Sequence, residues 1–171
     1  MIKIAITDDH PLLLEGLKNI LNNQEDIQVS GSFPSATDMQ IGLFSIEVDV
    51  LLLDINLEDA NSTELIKSIK KKYPSMHIIM LSVHNEYAVI NSCLDEGASG
   101  YIQKNASIEE IITWIKTVYE GTVFLCNQSK LILEKKEKDG LNKIPKLTRR
   151  EKEILAEASL GLTTNQIAEK L

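Results

Sequence analysis

Short apolar runs alternate with helix-spaced apolar stripes along the first two thirds of this chain. Residues 2–7, rich in isoleucine, read as a strand, and Pro11 then sits where a first helical turn tolerates it. Leu13, Leu14, Leu17, Ile20 and Leu21 recur at helical spacing behind it. Residues 27–33 read as a second strand, and Ser35 with Asp38 has the form of a capping box opening a short helix through Phe44. Val50, Leu51, Leu52 and Leu53 are aliphatic without alternation, which predicts a strand buried on both faces of a parallel sheet. That run ends on Asp54. Leu65, Ile66 and Ile69 predict a helix to about Tyr73, where Pro74 stops it, and residues 77–82 read as a fourth strand ending on Ser82. A helix over 86–96 closes at Gly97, and 100–104 is a short fifth strand ending on Lys104. Ser107 and Glu110 repeat the capping-box spacing, and Ile108, Ile111, Ile112, Ile115, Val118 and Tyr119 line the helix that ends at Gly121.

Strict strand-helix alternation predicts an α/β fold, a central parallel sheet with helices on both faces. From residue 123 the pattern changes. Leu131, Ile132 and Leu133 are compatible with a short helix, and 134–146 is charge-rich with Gly140 and Pro145, a linker composition. Thr148 with Glu151 then opens a helix carrying Ile154, Leu155, Ala158 and Leu160 up to Gly161, and Thr163 with Gln166 opens another. The expected organisation is a domain over 1–122, a linker over 123–146 and the beginning of an all-α domain over 147–171.

Charge sharpens this division. The formal net charge of −7 combines 8 basic and 18 acidic residues in 1–125 with 10 basic and 7 acidic in 126–171. The acidic part argues against nucleic-acid contact there, and the basic part leaves it open. No run approaches the roughly 18 apolar residues of a membrane span, and the N-terminus meets Asp8 and Asp9 before any signal-like segment, so a cytoplasmic protein is expected. Cys93 and Cys126 lack metal-ligand spacing and read as reduced packing residues.

A strand-ending aspartate such as Asp54 is either a turn residue or a reactive group. Its companions at the other strand ends bear on that choice: Asp8 and Asp9 after the first, Ser82 at the fourth, Lys104 at the fifth. In the flavodoxin-like strand order 2-1-3-4-5 the first and third strands are neighbours, and three carboxylates converge at the switch point. Converging anions repel, so either one stays protonated or a cation holds them ionised. An all-oxygen set suits Mg²⁺, which shares its coordination with water and phosphate oxygens. Lys104 adds a point charge and Ser82 a donor, the parts phosphoryl transfer to a carboxylate requires. His10, His77 and His84 pair with no second histidine at metal spacing and are not expected to be ligands.

The sequence resembles the receiver domain of bacterial two-component response regulators, specifically of the NarL/FixJ family. The match is carried by Asp8-Asp9-His10-Pro11, Leu53-Asp54-Ile55-Asn56, Leu81-Ser82, Gly97-Ala98-Ser99-Gly100-Tyr101 and Lys104, then Leu147-Thr148, Arg150-Glu151 and Ile167-Ala168. The resemblance implies a flavodoxin-like (βα)5 receiver in which Asp54 accepts a phosphoryl group from a sensor histidine kinase or phosphotransfer protein. It implies Mg²⁺ bound by Asp9, Asp54 and the Asn56 main-chain carbonyl, with Asp8 acting through water. It further implies a switch in which Ser82 moves to the phosphoryl group and Tyr101 turns inward, with homodimerisation on phosphorylation. Asn56 stands where a phosphohydrolase would need a second acid, so phosphoryl storage is expected and an enzyme is not. Residues 58–62 are more acidic than usual for the family and lack glycine, and Asn105 follows Lys104 in place of a common proline.

Residues 148–171 look like the first two helices of a LuxR-type helix-turn-helix, and the recognition helix that would read DNA is absent from the sequence. The expectation is a transcription regulator whose DNA binding requires that helix in its full form, the chain being a shortened version by design or by nature. The alternative is a DNA-independent receiver acting through protein-protein contacts.

Overall fold

The computed structural model describes residues 1–83 and 86–122, the short strand Phe124–Leu125 and the single position Ile154. His84, Cys126 and nearly all of the expected linker and helix-turn-helix lie outside the described residues. The chain divides into two compact units, Met1–Leu133 and Glu134–Leu171, and the fold that follows is that of the first.

The elements alternate as the apolar pattern predicts: β1 (Ile2–Thr7), α1 (Pro11–Asn22), β2 (Ile27–Phe33), α2 (Ala36–Gly42), β3 (Val50–Asp54), α3 (Ser62–Lys72), β4 (His77–Ser82), α4 (Tyr87–Asp95), β5 (Gly100–Gln103) and α5 (Ile108–Tyr119). All strands pair in parallel, in the flavodoxin-like order β2-β1-β3-β4-β5. A sixth strand, β6 (Phe124–Leu125), adds to the β5 edge just past the expected domain end at 122. Two residues are too few to carry a period, so nothing in the apolar pattern announces it.

Burial explains why β3 lacks alternation. All five of its residues are buried, and successive side chains enter two separate cores. Leu51 and Leu53 pack with Met39 of α2, Ile66 of α3, Ile90 and Cys93 of α4, whereas Val50 and Leu52 pack with Leu17 and Leu21 of α1 and Trp114 and Ile115 of α5. Helix starts follow the capping pattern. Ser107 and Glu110 form the full reciprocal box of α5, and Asn61 caps α3 by accepting from the Thr63 and Glu64 amides. Helix α2 stops at Gly42, two residues before the expected end at Phe44. The Phe33 ring lies against Gly31 and Gly42, close enough that a Cβ on Gly31 would meet it at 2.7 Å and one on Gly42 closer still. Gly97 closes the α4 end with φ +104°, a left-handed conformation suited to glycine.

Candidate functional site

The carboxyl ends of β1, β3, β4 and β5 meet at one sheet edge, held in register by backbone bonds that cross between elements. The Asp8 amide donates to the Phe33 carbonyl at 3.1 Å, the Ile55 amide to the Leu81 carbonyl at 3.0 Å and the Lys104 amide to the Ser82 carbonyl at 2.7 Å. These bonds bring together side chains far apart in sequence. The Lys104 Nζ lies 2.7 Å from Asp8 Oδ2 and 2.9 Å from Asp54 Oδ2, bridging two carboxylates whose side chains are both 0% exposed. Asp54 Oδ1 accepts from the Asn56 amide at 3.2 Å, an Asx-type turn that folds the chain back as it leaves β3. Asp54 therefore both caps its own turn and faces the lysine.

Charge balance in the pocket is uneven. Burial is the leading influence on Asp54 and raises its carboxyl above the ordinary range; the Asp8 charge adds to this, while Lys104 and the Asn56 amide pull the other way. For Lys104 burial pulls down, but its hydrogen bonds to Asp8 and Asp54 outweigh it and hold the amine above its usual value. One amine serves two buried acids, and partly exposed Asp9 adds a third. A dication would offset the remaining negative charge.

His10 sits in this cluster, a placement that histidine spacing does not reveal. Its Nδ1 lies 2.7 Å from Asp9 Oδ1 and 3.0 Å from Asp8 Oδ1, and its amide donates to Asp8 Oδ1 at 2.9 Å. Asp8, Asp9, His10 and Asp54 each offer one ligand atom within 4.8 Å of the others. The three carboxylates form a hard oxygen set of the kind Mg²⁺ takes, so the residues fit that ion. The sequence signal for His10 is its place directly after the acid pair. Spacing to other histidines says nothing about a ring folded back over carboxylates.

Among the remaining expected residues, Ser82 is 1% exposed at the end of β4, Tyr101 of β5 is fully buried in the core shared with α3 and α4, and Asn56 is exposed. Replacement of the common proline by Asn105 leaves the lysine in reach of both acids; the turn there is closed by the Ala106 amide donating to the Gln103 carbonyl at 3.0 Å. The acidic loop has its own anchors. Asp59 bonds the first turn of α2, and the Ser62 hydroxyl donates to the Ile55 carbonyl. His77 lies on β4 at the other sheet edge, with Ser99 Oγ at 3.4 Å, away from the acids.

A doubly wound parallel sheet with a carboxylate trio and a lysine at its carboxyl edge defines a receiver of the flavodoxin-like class. The response regulator receiver domain family matches residues 4–116, and the chain belongs to the two-component response regulators. It is a regulator and not a turnover enzyme. It is 36% identical to the transcriptional regulatory protein LnrK of Bacillus subtilis, over all of this chain and 83% of that one. It is 31% identical to the transcriptional regulatory protein UhpA of Escherichia coli K12, over 100% of this chain and 83% of that one. Among solved structures it is similar to RcsB of Salmonella enterica serovar Typhimurium bound to a promoter in the presence of phosphomimetic BeF3⁻, with a TM-score of 0.82 and 28% identity, covering 99% of this chain and 82% of that one. No helix among the described residues is long and apolar enough to cross a membrane.

Proposed function

We propose that Asp54 is the phosphoacceptor of this regulator and that a sensor histidine kinase or phosphotransfer protein supplies the phosphoryl group. The observation that carries this is the Lys104 amine bridging buried Asp8 and Asp54 at 2.7 and 2.9 Å. One Asp54 oxygen forms the new P–O bond while the P–N bond of the donor phosphohistidine breaks, and the imidazole leaves with its electron pair. A carboxylate needs no general base for this step. Lys104 neutralises charge on the transferred oxygens, and the Asn56 amide orients the nucleophile. Asp9, Asp54 and the Asn56 main-chain carbonyl would hold Mg²⁺, with Asp8 acting through water; that ion supplies charge neutralisation to the phosphoryl oxygens.

Storage of a doubly charged group next to Ser82 gives the pocket its output. Ser82 hydrogen-bonds the phosphoryl group, and Tyr101, which is fully buried in the core shared with α3 and α4, is the second residue of the switch. The surface of α4, β5 and α5 then changes its preference for partners, including a second copy of the chain. Similarity to DNA-bound RcsB over 99% of this chain supports transcription regulation through DNA binding as the purpose. A cytoplasmic location follows from a kinase partner and a DNA target.

Treatment with a small phosphodonor and Mg²⁺, followed by mass spectrometry, tests the reading. Wild type is expected to gain one phosphoryl group on Asp54. Absence of modification, or equal modification of Asp54→Asn, overturns it.

A further inference from the structure

Asp59 is the unexpected acid in the loop after β3, and both its oxygens are committed. Oδ1 accepts from the Ala36 amide at 3.0 Å, and Oδ2 accepts from the Thr37 amide at 2.9 Å and the Thr37 hydroxyl at 2.8 Å. Ala36 and Thr37 open α2, whose N-cap Ser35 accepts from the Asp38 amide at 3.0 Å. Asp59 thus satisfies two first-turn donors that the N-cap leaves over, from 23 and 22 positions away in sequence. The α2 dipole favours a carboxylate there, and the bond from the Thr37 amide leads the influences holding Asp59 below the ordinary carboxylate range. An acid engaged in this way is a clip rather than a metal ligand.

The clip closes a ring around the pocket. On one side the Asp8 amide is tied to the Phe33 carbonyl at 3.1 Å, just before α2. On the other, the base of the β3–α3 loop is pinned where the Ile55 amide donates to the Leu81 carbonyl at 3.0 Å and the Ser62 hydroxyl donates to the Ile55 carbonyl. Asn56 lies between that base and Asp59, followed by Leu57, which is buried. Asp8, Phe33, Ala36, Asp59, Asn56 and Asp54 are therefore linked in a circuit that the Asp59 bonds complete.

We propose that Asp59 is a positioning residue for the pocket: by clipping the β3–α3 loop to the start of α2 it holds the Asn56 backbone in place relative to Asp8 and Asp9 and strengthens Mg²⁺ binding. This rests on the reading of the pocket given above. An unclipped loop has to be ordered when the ion arrives, and that ordering cost subtracts from affinity.

The test titrates Mg²⁺ into the full chain by calorimetry and measures phosphodonor labelling across Mg²⁺ concentrations, for wild type, Asp59→Ala, Asp59→Asn and Ser35→Ala. Asp59→Ala is expected to weaken Mg²⁺ binding roughly fivefold, equal to about 1 kcal/mol, the size of one lost cap. The labelling rate at saturating Mg²⁺ stays near wild type, while the Mg²⁺ concentration for half-maximal rate rises by the same factor. Asp59→Asn, keeping one acceptor oxygen, falls between. Ser35→Ala removes a cap from the same helix without touching the loop, so it lowers Tm and leaves Mg²⁺ affinity unchanged. Asp59→Ala binding Mg²⁺ as wild type does, or Ser35→Ala weakening it equally, overturns the clip. Wild type that binds Mg²⁺ in an Asp59-dependent way but takes no phosphoryl group supports the clip and removes the phosphoacceptor reading. Wild type labelled on Asp54 with unchanged Mg²⁺ dependence in Asp59→Ala does the reverse.

Discussion

Replacing Lys104 by methionine isolates the electrostatic role of its amine, because methionine keeps an unbranched apolar stem in the same space. In the folded chain the amine is 2.7 and 2.9 Å from two carboxylates that are both 0% exposed, and the lysine side chain itself is only 10% exposed. Its removal leaves two buried acids facing one another. Breaking a buried ion pair by deleting one partner costs about 3–5 kcal/mol, and the lower end applies here because Asp54, already raised by burial, can take up a proton instead. The expected loss at pH 7 without divalent metal is about 3 kcal/mol. Proton uptake relieves the repulsion, so the loss shrinks toward pH 5. In an Asp54→Asn background the same substitution strands only Asp8, and its cost falls by at least about 1 kcal/mol. Urea unfolding followed by the fluorescence of Trp114, the one tryptophan of the chain and 8% exposed on α5, reads the stability of this unit. A loss below about 1 kcal/mol that is the same at both pH values and in both backgrounds is the signature of an exposed pair, and would refute the reasoning.

Three further outcomes follow from the same geometry. Burial leads in raising the Asp54 carboxyl, so the folded chain holds that proton more tightly than the unfolded chain; stability then falls as pH rises from the ordinary carboxylate range through the raised value, and Asp54→Asn should flatten that slope and raise Tm at pH 7. Gly42→Ala adds a methyl against the Phe33 ring; it should cost about 1–3 kcal/mol in urea unfolding despite a helix-propensity gain of about 1 kcal/mol, and Phe33→Leu should recover part of the loss. The Cys93 thiol is fully buried and pushed up by burial to about 11, so in a Cys126→Ser background a thiol reagent at pH 8 should leave the native chain unmodified and react fully in urea, as followed by reagent absorbance.

What the chain declares by itself is whatever depends on neighbours in sequence. The apolar run ending on Asp54, the helical stripe from Ile111 to Val118 and the Ser107–Glu110 box each involve a few adjacent residues, and each is legible in the sequence alone. The alternation of elements then restricts the topology, since parallel strands need crossovers of one hand, so the strand order and the meeting of Asp8, Asp54 and Lys104 were within reach. The tertiary structure decided which atoms meet. That one amine spans Asp8 and Asp54 depends on backbone bonds between β4 and β5, and that His10 lies over the acid pair depends on the turn leaving β1. The β6 strand depends on an available edge beside β5, and the Asp59 clip on a helix start 22 residues away. Contacts closed by packing leave no local pattern, because their partners are chosen only once the sheet has brought its edges together.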